Sequence, residues 1–100
     1  KNLKSFHNAY LILKDKQGYL LDLKTNKTDI IDVGFPVLHG INGEDGSIQG
    51  LLQMYNIKYV GSNILGSSIN MNKVIAKELL KNSNIKIANF IGIKDYELKN

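Results

Sequence analysis

A glycine-rich stretch, HGINGEDGSIQG, occupies residues His39–Gly50 and places the strongest constraint on how this chain folds. It follows the apolar run Val33–Leu38 and leads into a segment whose apolar residues have helical spacing. Glycine permits backbone angles that residues with a Cβ avoid, so its glycines predict a tight turn. Strand, glycine-rich turn and helix in this order are typical of the carboxyl edge of a parallel sheet, where functional groups gather. The turn glycines are Gly40, Gly43 and Gly46.

The turn also carries one imidazole, His39, and two carboxylates, Glu44 and Asp45. The carboxylates complement the positive end of the helix dipole, and Asp45 or Ser47 can cap the first helical turn. Because a second anion there would be repelled, the residues favour a site that orients the imidazole or meets an ammonium group over a phosphate cradle. A Glu44–His39 pair would hold the ring in one tautomer. The same residues also fit a structural interpretation, with a scaffold histidine and acidic helix caps.

Hydrophobic patterning predicts strands and helices along the rest of the chain. The near-continuous apolar run Ile30–Leu38 predicts a central strand of a parallel sheet, with Pro36 where no ladder bond is required. Together with the next helix and strand it would form a βαβ unit. The other predicted elements are the hairpin strands Ala9–Leu13 and Tyr19–Leu23, the helix Ser47–Tyr55, the strand Ile57–Val60, the helical segment Ile64–Asn84 and the strand Ile85–Ile93. The start of the long helical segment, or a kink in it, is predicted at Ser67, Ser68, Asn70 or Asn72.

Composition narrows the classes of partner. The 100 residues fit one small domain, and 13 lysines without any arginine contribute to a net charge of +4. The lysines are scattered, so we expect no nucleic-acid partner. Without arginine, these residues cannot capture a carboxylate or phosphate with a bidentate guanidinium. There is no cysteine, and no apolar run approaches the roughly 20 residues of a membrane helix. We therefore expect no cysteine-bound metal, no membrane partner and a cytoplasmic location.

The glycine-rich stretch closely resembles the first signature of the D-alanine–D-alanine ligases, H-G-x-x-G-E-D-G-x-aliphatic-Q-G. The flanking FPVLHG and GLLQMYNIKYVGSNILGSSINMNK also resemble that family, and the resemblance runs from about Asp32 to Phe90 without a gap. A match of this length is far more specific than an isolated glycine motif. The signature positions are filled by His39, Gly40, Gly43, Glu44, Asp45, Gly46, Ile48, Gln49 and Gly50.

The resemblance implies an α/β fold, in which a Rossmann-like, pre-ATP-grasp parallel sheet with flanking helices runs into the start of an ATP-grasp subdomain. We expect residues 1–63 to form part of the N-terminal substrate domain, and residues 64–100 the crossover helix and first strand of the ATP-grasp domain. Met71-Asn72-Lys73 is similar to the family's M-D-K segment, whose lysine contacts the phosphates of bound ATP. Asn72 stands where the family usually has Asp and can still cap a helix. Without the resemblance, Lys73 fits a solvated surface lysine equally well.

The family's reaction suggests roles for these residues. Such ligases use ATP and magnesium to phosphorylate the carboxylate of one D-alanine, which the amine of a second D-alanine then attacks, and the dipeptide enters peptidoglycan. The resemblance implies supporting catalytic roles for His39 and Glu44 beside the first D-alanine, and a phosphate contact for Lys73. It also implies a homodimer in the bacterial cytoplasm. The substrate loop would contain Gly40, Gly43, Asp45 and Gly46.

Much of the family's machinery has no counterpart in these residues. The glutamate that meets the substrate ammonium, the second ATP lysine, the oxyanion-binding arginine and the acidic magnesium ligands find no match. We expect ATP and Mg²⁺ as cofactors with metal ligands outside this chain, and we expect the 100 residues to be inactive by themselves. Two alternatives stay open. The ligase could join D-alanine to D-lactate or D-serine, or the chain could be a non-catalytic α/β interaction module derived from such a ligase.

Overall fold

The computed structural model describes residues 8–93 of the chain. It begins with a hairpin formed by β1 (Ala9–Lys14) and β2 (Gln17–Asp22), which run antiparallel. The turn residues Asp15 and Lys16 have φ of +50° and +64°, the positive values that a tight two-residue hairpin turn requires. The hairpin predicted from two apolar runs around a polar turn is therefore confirmed.

The prediction of one central strand over Ile30–Leu38 is wrong, because two sheets divide this segment. Its first residue ends β3 (Thr28–Ile30), which pairs antiparallel with β2. After a bend at Asp32, β4 (Val33–Gly34) joins a parallel pair instead. β4 ends before the glycine-rich turn. Pro36 lies beyond its end, where its missing N–H costs no hydrogen bond between strands.

A βαβ unit positions the glycine-rich turn. β4 is followed by α1 (Ser47–Met54) and β5 (Lys58–Tyr59), and Val33 lies beside Lys58 in the parallel pair. Leu52 of the helix and Ile57 before the strand are buried and form part of a small core. The predicted helix, the following strand and the parallel βαβ connection are confirmed. The turn therefore lies between the carboxyl end of β4 and the amino end of α1.

The long helical segment divides into α2 (Ile64–Met71) and α3 (Lys73–Asn82), with the break at Asn72. Asn72 has ψ of +100°, outside the helical region, and its side-chain oxygen accepts hydrogen bonds from the N–H groups of Val74 and Ile75, both at 3.2 Å. Asn72 is one of the four positions at which a kink was predicted. The break gives Lys73 the first position of a new helix.

The predicted strand Ile85–Ile93 is wrong for the described residues, which form no strand there. The segment lies against α3, where Lys77 Nζ is 5.0 Å from the centre of the Phe90 ring and a Cβ on Gly92 would contact Val74. A strand needs a partner for its N–H and C=O groups, and within residues 8–93 none is offered to this segment. Alternation of apolar residues is therefore not enough to predict a strand when no partner strand is available.

The architecture is mixed α/β, as predicted. One three-stranded antiparallel sheet has the order β1-β2-β3, and the parallel sheet contains β4 and β5 within the described residues. Gly18 of β2 faces Ile57 and the Tyr55 carbonyl, just before β5, and these atoms leave no room for a Cβ. In the part of the chain that the structure describes, no helix is long and apolar enough to cross a membrane.

Candidate functional site

The backbone of the turn depends on glycine most strongly at Gly46. This residue has φ of +97° and precedes the first residue of α1. A Cβ there would lie 2.8 Å from Ser68 Oγ and 2.9 Å from the Ile64 carbonyl oxygen, so α2 also approaches it too closely for any side chain. Gly40 has φ of +75° but faces open space. Gly46 therefore joins the turn to α2, whereas Gly40 only bends it.

Two carboxylates hold the turn closed through backbone N–H groups. Glu44 Oε2 accepts a hydrogen bond from the Gly40 N–H at 2.7 Å. Asp45 accepts from the N–H groups of Asn42 and Ser47, each at 2.9 Å, and these bonds, that to Asn42 first, lower the pKa of Asp45. Because Ser47 begins α1, Asp45 satisfies one of the free N–H groups at the helix end, although the N-cap position itself is occupied by Gly46. Ser47 itself is the first helical residue and is not the cap.

His39 extends from the turn into solvent, with 91% of its side chain exposed. Its Nδ1 lies 3.9 Å from Glu44 Oε1, which is too long for a hydrogen bond. This geometry does not meet the prediction that Glu44 holds the ring in one tautomer, because Glu44 makes its hydrogen bond to the Gly40 N–H and not to the ring. The alternative of a hydrogen-bonded scaffold histidine is not met either, because the ring is exposed. His39 is an exposed imidazole beside a carboxylate.

Glu44 and Lys73 line one cavity of about 350 Å³, although they lie far apart in the sequence. The carboxylate comes from the glycine-rich turn, and the lysine is the first residue of α3. Lys73 Nζ donates a hydrogen bond to the Asn70 carbonyl oxygen at 2.7 Å, which holds the cation near the helix break. Since an ammonium group has three N–H donors, two remain for a ligand. The cavity thus presents one negative and one positive group.

His39 lines a different, more open groove of about 430 Å³ with Ile41, Ile48 and Leu51. Of the predicted site residues, the structure brings Gly43, Glu44 and Lys73 to the cavity and places His39 in the neighbouring groove. Gly43 lines both of them, and Glu44, which lines the cavity, also approaches the His39 ring.

Two buried polar side chains line the cavity, and the sequence motifs suggest no role for either. Gln49 of α1 and Ser67 of α2 are 6% and 7% exposed, and both line the cavity. A signal for Gln49 was available, because it lies three residues before Leu52 and therefore on the buried face of the same helix. Within residues 8–93 no group of three or more histidine, cysteine or acidic side chains could hold a metal ion.

The fold of this chain is similar to part of the fold of solved α/β ligases. A solved D-alanine-D-alanine ligase from Coxiella burnetii superimposes with a TM-score of 0.74 at 31% identity, over 83% of this chain and 23% of that protein. A solved ligase of the same name from Helicobacter pylori gives a TM-score of 0.67 at 27% identity, over 88% of this chain and 28% of that protein.

Comparison of the sequence with known proteins identifies the family. A family model described as the N-terminus of D-ala D-ala ligase matches residues 5–62. A D-alanine--D-alanine ligase from Borrelia turicatae is 54% identical over 97 residues, which cover 97% of this chain and 26% of the relative. One from Oceanobacillus iheyensis is 50% identical over 74 residues, which cover 74% of this chain and 20% of the relative. The chain belongs to the D-alanine–D-alanine ligase family.

The comparisons also change the extent of the resemblance. The family model begins at residue 5, so the match includes the N-terminal hairpin, whereas the sequence motifs had placed its start at Asp32. The chain spans about a quarter or less of the length of the two relatives named above. Its 100 residues therefore correspond to one part of a longer family architecture.

Proposed function

We propose that this chain is part of an ATP-dependent D-alanine–D-alanine ligase that makes the D-Ala-D-Ala dipeptide for peptidoglycan through an acyl phosphate. The observation that supports this most directly is that Glu44 of the glycine-rich turn and Lys73 at the start of α3 line the same cavity. The relatives carry the same ligase name, and the chain covers the part of them that contains the turn.

The proposed roles follow from where each group lies. His39, which is exposed, and Glu44, which faces both the ring and the cavity, would support catalysis beside the first D-alanine. The turn residues would shape the substrate loop. Asp45 and Gly46 fix its junction with α1, and Gly40 and Gly43 its bend.

Lys73 fits the phosphates of ATP, because its ammonium group reaches the cavity with donors to spare. ATP, when bound, supplies the phosphoryl group for the substrate carboxylate. Magnesium finds no matching cluster of carboxylates in residues 8–93, so we propose that its ligands lie outside this chain.

We further propose a division of the chain at the start of α2. Residues 1–63 would belong to the N-terminal substrate domain and residues 64–100 to the crossover into the ATP-grasp domain. The match to the N-terminal family model ends at residue 62, and α2 begins at Ile64, which supports this boundary. We also propose that the full-length enzyme is a homodimer in the bacterial cytoplasm, with D-alanine and ATP as its ligands.

The test compares a full-length version, extended to the length of the relatives, with the 100-residue chain. We expect the full-length protein to release phosphate and form dipeptide with ATP, magnesium and D-alanine, and the isolated chain to do neither. Lys73→Met should raise the KM for ATP about 10- to 100-fold, the effect of losing a hydrogen bond to a charged group. Lys86→Met, an exposed lysine after α3, is the control and should change nothing.

Substrate choice separates the proposal from its alternatives. D-lactate or D-serine used in preference to D-alanine as the second substrate would assign the protein to the depsipeptide or D-serine ligases. A full-length protein that forms no product with any of the three would support a non-catalytic module instead. Phosphate release by the isolated chain would contradict the expectation that essential groups lie outside it.

A further inference from the structure

The glycine-rich turn contains the one Asn-Gly pair of this chain, Asn42-Gly43. In such a pair the backbone nitrogen of the glycine can attack the side-chain amide of the asparagine, because glycine has no Cβ to hinder the approach. A bulky following residue hinders this attack, and so does a fold that holds the asparagine side chain in place. The structure therefore bears on whether the pair reacts in the folded chain.

Asn42 is exposed, and little in the turn restrains the two reacting groups. Among the hydrogen bonds of residues 8–93, that of Asn42 is donated by its backbone N–H to Asp45 Oδ2, and its side-chain amide makes none. The Gly43 N–H donates to the Gly40 carbonyl oxygen at 3.2 Å, the long end of the ordinary range. By contrast, hydrogen bonds with the backbone hold the side chains of Asn56, Asn63, Asn70 and Asn72.

We propose that Asn42 is a deamidation site, at which the chain modifies its own turn without another enzyme. The Gly43 nitrogen forms a bond to Asn42 Cγ, and the bond from Cγ to the amide nitrogen breaks, so that ammonia leaves with the proton of the Gly43 nitrogen. Water then opens the resulting succinimide ring at one of its two carbonyl carbons. Attack at Cγ gives aspartate, and attack at the backbone carbonyl carbon gives isoaspartate, in which the chain continues through the former side chain.

Deamidation changes the turn in charge and in length. Either product adds a third carboxylate close to Glu44 and Asp45, where like charges repel one another. Isoaspartate also adds one methylene to the backbone inside two hydrogen-bonded loops, from the Asn42 N–H to Asp45 and from the Gly43 N–H to Gly40. The modification therefore loosens the turn, and this inference does not depend on the proposed ligase function.

The test incubates the 100-residue chain in mildly alkaline buffer, which deprotonates more of the attacking nitrogen, and maps its peptides by mass spectrometry. Asn26 is the matched internal control, because it is also exposed and has φ of +57° against +68° at Asn42, but a lysine follows it. We expect Asn42 to convert at least about tenfold faster than Asn26, which corresponds to a barrier lower by about 1.4 kcal/mol. Equal rates, or conversion of Asn42 only in the presence of urea, would overturn the inference.

Asn42→Gln separates this reaction from other changes during incubation. Glutamine would have to close a six-membered ring, which forms far more slowly, so we expect no conversion at this position. Incubation should lower the urea unfolding midpoint of the wild type and leave that of Asn42→Gln unchanged. A midpoint that falls equally in both proteins, or in neither, would contradict the loosening of the turn. The ligase proposal is tested separately, by dipeptide formation in the full-length version.

Discussion

At the scale of single residues, Gly46 is the position where the turn tolerates least change. Alanine there meets two obstacles, the positive φ and the contacts with Ser68 and Ile64. We expect Gly46→Ala to lower the free energy of unfolding by about 2–5 kcal/mol, about 1–2 from the left-handed backbone and about 1–3 from overpacking. Urea denaturation of the two proteins measures the difference.

Gly40→Ala is the matched control for this prediction. Gly40 also has a positive φ, but a Cβ there would meet no atom within 4 Å. Only the backbone term applies, so the loss should be about 1–2 kcal/mol. If both variants lose the same amount, the contact between the turn and α2 does not contribute to stability.

Asp45 should make the stability of the turn depend on pH. Its folded pKa lies below the ordinary value of about 3.9, because backbone N–H groups stabilise the carboxylate. A depressed carboxyl pKa contributes stability above the unfolded pKa, and this contribution is lost as the pH falls through the folded value. Unfolding midpoints measured between pH 6 and about pH 2 should therefore fall less for Asp45→Asn than for the wild type. Parallel curves would contradict this, and Asp29→Asn on β3 is the control.

The residue scale also shows what sequence patterns predicted at the site. The hydrogen bonds that the two carboxylates accept within the turn join residues two to four positions apart, so the turn and the Asp45 contact were predictable. The predicted hydrogen bond between Glu44 and His39 does not form, because Glu44 accepts a hydrogen bond from the Gly40 N–H instead. That Glu44 and Lys73 line one cavity depends on how α2 and α3 are placed relative to the turn, and no local pattern encodes that.

At the scale of elements, the corner between α2 and α3 depends on Asn72. Its side-chain oxygen caps two N–H groups of α3, so Asn72→Ala should cost about 0.5–2 kcal/mol of stability. Asn72→Asp keeps a side-chain oxygen at the cap and adds a charge that favours the helix N-terminus by about 0.3–1 kcal/mol. Thermal unfolding should rank the proteins with aspartate highest and alanine lowest. An alanine variant as stable as the wild type would contradict the capping role.

Elements that form between neighbours along the chain were predictable from sequence, whereas those that depend on distant strand pairing were not. The hairpin, α1 and the βαβ connection were predictable, because each forms between neighbours along the chain. The segment over Ile30–Leu38 was not, since one apolar run serves two sheets and the change of sheet depends on which strands pair with it. Ile85–Ile93 has the alternation of a strand but lies beside a helix, because no partner strand is present among the described residues.

At the scale of the whole molecule, the apolar surface is larger than a chain of this size normally leaves in water. Phe35, Ile41 and Ile91 are 71%, 77% and 87% exposed, while the buried hydrophobic residues of the described part are Leu52, Ile57 and Ala76. Exposed apolar residues on this scale mark surfaces that another part of a protein covers. The relative from Borrelia turicatae is about four times as long as the match, so we expect the remainder of a longer polypeptide to cover this surface.

This surface leads to a prediction that compares the two lengths of the protein. The isolated chain should bind a hydrophobic dye such as ANS and unfold at low denaturant concentration, because a core of this size supports few kcal/mol of stability. The full-length version should bind little dye and unfold at a higher midpoint, since its remaining residues remove the same side chains from water. Ile41→Asn, Ile91→Asn and the double variant should reduce dye binding in the isolated chain. Equal dye binding by the isolated chain and the full-length version would mean that these side chains stay exposed in the full-length version. A second subunit would then have to cover them.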